Sequence, residues 1–68
     1  MNQTLFPEGA SDSAKLVYLY LKQVSNATIQ ELRDVLGMKL LKLYPVLERL
    51  EDAGSITYVS NDRVKLVS

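Results

Sequence analysis

Four cations stand where they can act on an anion. Lys39 and Lys42 open a leucine-rich stretch, and Arg63 and Lys65 lie near the end of the chain. Ammonium and guanidinium groups in such positions bind phosphate oxygens. The other cluster with chemical potential is acidic: Glu48, Glu51 and Asp52 fall within one helical turn or so of each other. Three carboxylates on a solvated helix end usually form a surface face. The 68 residues contain no His and no Cys. That removes the commonest general base, a histidine-dependent serine triad, a thiol nucleophile, a thiolate zinc site and an iron–sulfur cluster. There is no glycine-rich phosphate loop, and a domain this small has no room for a deep cleft. No enzyme activity, cofactor or metal is expected.

The elements that must position these cations follow from the pattern. Residues 1–10, with Pro7 and Gly9, read as an irregular arm in which Leu5 and Phe6 are free to dock. Residues 12–24 read as a first helix, capped by Ser11, Asp12 or Ser13, with Val17, Tyr20, Leu21 and Val24 on its apolar face. Leu16, Tyr18 and Leu19 widen that face beyond what a small core needs. Residues 29–36 read as a second helix. Thr28 and Glu31 have the spacing of a capping box, Ile29, Leu32, Val35 and Leu36 fall on one side, and Gly37 supplies the turn. Residues 40–53 read as a third helix, with Leu40, Leu43, Leu47 and Leu50 facing the core and Gly54 ending it. Pro45 requires this helix either to start late, near Leu41, or to bend. Ile56–Val59 and Val64–Val67 read as a hairpin around the turn 60–63, and a short strand near 27–29 would pair with it.

Two short helices joined by a tight turn, then a third helix and a hairpin, imply an α+β winged helix-turn-helix over residues 11–68: three helices plus a C-terminal β-hairpin wing. The string Leu36-Gly37-Met38, then Leu43-Tyr44-Pro45-x-Leu47-x-Arg49-Leu50-Glu51-x-x-Gly54, resembles PadR-like winged-helix regulators. The leucines with Gly54 are also similar to MarR-like and archaeal TrmB-like domains. The likeness spans about residues 14–67. It implies a dimeric DNA-binding transcriptional regulator, with the third helix in the major groove. Such families place small polar residues at the start of that helix, where this chain has Lys39, Leu40, Leu41 and Lys42.

Lys39, Lys42, Arg63 and Lys65 are thus the expected DNA contacts. Leu41 meets either a thymine methyl or a protein. Tyr44 reaches a phosphate or packs beside the wing. Arg49 contacts backbone or pairs with Asp52. Thr28 and Gln30 either face a phosphate at the helix start or, for Thr28, act as the cap. Leu5, Phe6, Leu16, Tyr18 and Leu19 form the expected dimer surface. The chain has 8 basic and 8 acidic residues, so its formal net charge is zero. Few phosphate contacts per copy imply weak, salt-sensitive binding that a homodimer would strengthen. Neutrality also supports a rival expectation, a winged helix that contacts a protein partner instead. No secretory signal or membrane span is expected, so the expected location is cytoplasmic.

Overall fold

The computed structural model describes residues 11–67. The expected arm at residues 1–10, with Leu5 and Phe6, lies outside the described residues. The order is α1 (Asp12–Val24), β1 (Asn26–Thr28), α2 (Ile29–Leu36), α3 (Leu40–Asp52), β2 (Ile56–Ser60) and β3 (Arg63–Leu66). Over the described residues the fold is α+β: three helices and one antiparallel sheet of three strands, in the order β1-β3-β2. Among the described residues no helix is long and apolar enough to cross a membrane.

Local chemistry explains most of the boundaries. The Ser11 hydroxyl accepts the Ala14 N–H at 3.2 Å and starts α1. Thr28 Oγ1 accepts the Glu31 N–H at 3.0 Å and starts α2. The Glu31 carboxylate accepts the hydroxyl of Tyr20, which ties α2 to α1. Gly37 ends α2 at φ 66°, a left-handed conformation that costs glycine little. α3 closes in a Schellman motif: the Gly54 N–H reaches the Glu51 carbonyl at 3.0 Å, and the Ser55 N–H the Leu50 carbonyl at 2.9 Å. The end of α1 is less comfortable. Ser25 carries φ 74° and ψ −47°, a conformation that strains a residue with a Cβ. This sharp corner sends the chain straight into β1.

Residue separation hides the sheet from local inspection. β1 pairs with β3 through Asn26 with Lys65, Ala27 with Val64 and Thr28 with Arg63. β2 pairs with β3 from Ile56 with Leu66 to Ser60 with Arg63, with an irregularity between Tyr58 and Ser60. The Ile29 N–H donates to the Asp62 carbonyl at 2.7 Å, which fastens the hairpin turn to the start of α2. Strand alternation sends Ala27, Ile56 and Val64 inward, all buried, and leaves Asn26, Thr28, Arg63 and Lys65 on the outer face. Relative to expectation, β1 is 26–28 rather than 27–29, and the turn narrows to Asn61 and Asp62.

The core joins Val17 and Leu21 of α1, Ile29 and Leu32 of α2, Leu43, Val46, Leu47 and Leu50 of α3, and the inward strand residues. Each large aliphatic side chain buried here contributes about 1.5–3 kcal/mol. Three expected core positions are corrected. Leu40 is 37% exposed, while Val46, unassigned from the pattern, is buried. Leu40 sits in the first turn of α3, beyond the edge of the core, and the buried sector is centred between Val46 and Leu47. Val24 and Val35 are also exposed, each in the last turn of its helix, where the helix has passed the core. α3 begins at Leu40 and contains Pro45 as its sixth residue, so the helix does not start late. Pro45 has no N–H to give the Leu41 carbonyl. Both residues are exposed, so water can take its place.

Candidate nucleic-acid interface

The three helix starts are not built alike. α1 and α2 each have a side-chain cap and an acid in the first turn. α3 has neither: Lys39 is its N-cap residue, makes no side-chain cap bond, and no acid lies in the first turn. The Lys42 and Leu43 N–H groups bond to the Lys39 carbonyl at 3.0 and 2.9 Å. The N–H groups of Leu40 and Leu41 precede that bonding and have no intrahelical acceptor. Two lysines beside the positive end of a helix dipole are mutually unfavourable by a few tenths of a kcal/mol or more. Both are exposed, and neither ammonium has a hydrogen-bond or ion-pair partner among the described residues. An approaching anion would relieve that repulsion and meet open N–H groups.

Leu41 continues this surface. At 91% exposure it is the most exposed large apolar residue described. On a helical wheel it lies about 170° from the mean direction of Leu43, Val46, Leu47 and Leu50. Pro45, Glu48 and Asp52 follow it along the same outward line. The flanks of that line differ in charge. Lys42 and Arg49 occupy one side, two turns apart. Tyr44 and Glu51 occupy the other, and there the helix meets the sheet. The Tyr58 hydroxyl of β2 is pushed above its ordinary range by burial first, then by the charges of Glu51, Tyr44 and Glu48. Tyr44, 47% exposed, therefore stands beside the hairpin among acids, a poor place for a phosphate. Arg49 makes no ion pair with Asp52 among the described residues, although the spacing allows one.

The second set of expected contacts is on the sheet. Arg63 Nη1 donates to Asn26 Oδ1 at 2.7 Å, across 37 residues of sequence. This bond ties the guanidinium to β1, whose Thr28 is the register partner of Arg63. Thr28 serves as the α2 cap, and Gln30 is exposed in the first turn of α2. The turn, Arg63, Thr28 and Gln30 thus form one patch. Lys65 lies two residues further along, roughly 7 Å away. It lines an open cavity of about 310 Å³ together with Leu21, Lys22, Ser25, Asn26 and Leu66. Asn26 was not singled out from the sequence: an asparagine at a helix–strand junction reads as turn chemistry until its distant arginine is known.

The expected dimer residues separate. Leu16 and Leu19 are 51% and 54% exposed and face outward with Asp12 and Gln23 at helical spacing. Tyr18 is half-buried off that line. Among the described residues no group of three or more His, Cys, Asp or Glu could hold a metal ion. Compared with family models, curated proteins and solved structures, the chain finds no match.

Proposed function

We propose that this chain is a winged-helix domain that binds duplex DNA, with the start of α3 in the major groove and the β2–β3 hairpin as the wing. One observation carries the reading: among the described residues, α3 alone of the helices lacks a side-chain cap and an N-terminal acid, and presents two lysines without an ion-pair partner instead. The sheet order β1-β3-β2 around three helices suits the same architecture, and the similarity of the α3 string to PadR-like regulators points the same way. Lys39 and Lys42 neutralise phosphates at the groove edge, and Arg63 and Gln30 contact the flanking backbone. The test is fluorescence anisotropy of a labelled 20-base-pair duplex across a salt series. Binding is expected at low salt and lost with Lys42→Glu. Arg63→Ala is expected to reduce the log–log salt slope by about 0.9. No binding of any duplex at low salt overturns the proposal.

Few contacts per copy favour a homodimer on the outward line of α1, with Leu16 and Leu19 at its centre. Sedimentation velocity on the protein and on Leu19→Glu tests this, with the variant expected to be monomeric. A second reading rests on the exposure of Leu41: the same surface contacts a protein partner. It predicts a partner interaction lost with Leu41→Asp in the absence of duplex binding.

A further inference from the structure

We propose that Leu41 reads the C5-methyl group of thymine, so that the domain prefers duplexes with methyls in the major groove. The inference rests on the duplex-DNA reading above and names what that surface recognises.

The outward line of α3 leaves little else for base readout. Over its first two turns the line holds Leu41 and Pro45, neither of which has a side-chain donor or acceptor. The bidentate pairings that read guanine or adenine need Arg, Lys, Asn or Gln at such positions. Lys39, the N-cap residue, and Lys42, on one flank, lie off the line, which suits phosphate. An apolar side chain has one methyl group to meet in the major groove of unmodified DNA, that of thymine. Lys42 beside Leu41 and Lys39 at the helix start favour a polyanion over an apolar protein groove. Leu41 and Pro45 are one helical turn apart, about 6 Å along the axis. Two base-pair steps at about 3.4 Å each span a similar length, so the pair can face methyls two steps apart.

The energetic scale sets the expected effect. Burying one methyl-sized group against Leu41 corresponds to about a fourfold change in affinity. Deoxyuridine differs from thymidine only by that methyl, and 5-methylcytosine adds the same methyl to a G·C pair. The experiment measures dissociation constants at one fixed low salt for four 20-base-pair duplexes: alternating d(A-T), alternating d(A-U), alternating d(G-C) and alternating d(G-5-methyl-C). The protein and Leu41→Ser are compared. Leu41 packs against nothing in the core, so the variant is expected to fold, checked by its far-UV circular dichroism and melting temperature.

The expected result is tighter binding of d(A-T) over d(A-U), and of methylated over unmethylated d(G-C), by about fourfold or more in each pair. Leu41→Ser is expected to bring both ratios close to one. Equal affinity within both pairs overturns the inference and leaves duplex binding intact. Ratios that survive in Leu41→Ser also overturn it and assign the preference to duplex shape. Failure of all four duplexes to bind overturns this inference together with the function proposed above, and leaves Leu41 to a protein partner.

Discussion

Tyr20 shows how much one side chain does in a core this small. Its hydroxyl donates to the Glu31 carboxylate and joins α1 to α2. That bond, then burial, then the Glu31 charge raise its pKa above the ordinary value of 10.0. Tyr58 is raised as well, by burial first. A group raised in the folded state holds its proton there after the unfolded chain has lost it. Its stabilisation is therefore complete below about pH 10 and declines as pH rises toward the folded value. Urea unfolding midpoints are expected to stay level from pH 7 to 9 and to fall at pH 11. Tyr20→Phe is expected to lower the midpoint at pH 8 and to lessen its fall at pH 11. An unchanged pH 11 decrement in the variant would show that Tyr58 and other groups account for it.

At the start of α3, element stability and the proposed binding make opposite demands. Lys39→Asp supplies the missing cap, since its carboxylate can accept the Leu41 or Lys42 N–H. It also places an acid at the positive end of the helix. Stability is expected to rise by about 1 kcal/mol, seen as a melting temperature higher by about 4–8 °C. Duplex affinity is expected to fall in the same variant. If this end of α3 were ordinary surface, the gain in stability would come with no loss of binding. The elements themselves were largely legible in the chain, because their punctuation is local: Ser11, Thr28, Gly37 and Gly54 all act within three or four residues. What was illegible depended on distance. Leu40 fits the period of the buried leucines, and only its place beyond the core exposes it. The Arg63–Asn26 bond links residues 37 apart, so no window of sequence contains both. The lysines and Leu41 stood out by type, and the structure places them together, exposed, at the start of α3. The influence of Glu51 and Glu48 on Tyr58 depends on β2 lying against α3, which no local window contains.

At the scale of the molecule, the zero net charge resolves into regions. The start of α3 is basic and its far half acidic, and the charges of Glu51 and Glu48 are felt at the Tyr58 hydroxyl. On the proposed function, such a layout would attract a polyanion at one end and repel it at the other. This orients the encounter even though the summed charge gives no long-range pull. The sheet has a consequence of a different kind. Its middle strand, β3, follows every other element in the chain, while the strands it separates are made at residues 26–28 and 56–60. A polypeptide synthesised from its N-terminus therefore produces both outer strands before anything exists to join them. The sheet cannot close until residues 63–66 emerge and complete the long loop back to Asn26. A fragment ending at Ser60 is expected to show no cooperative thermal transition. Assembly of this domain is thus a single late event, completed by four residues at the end of the sheet's own construction.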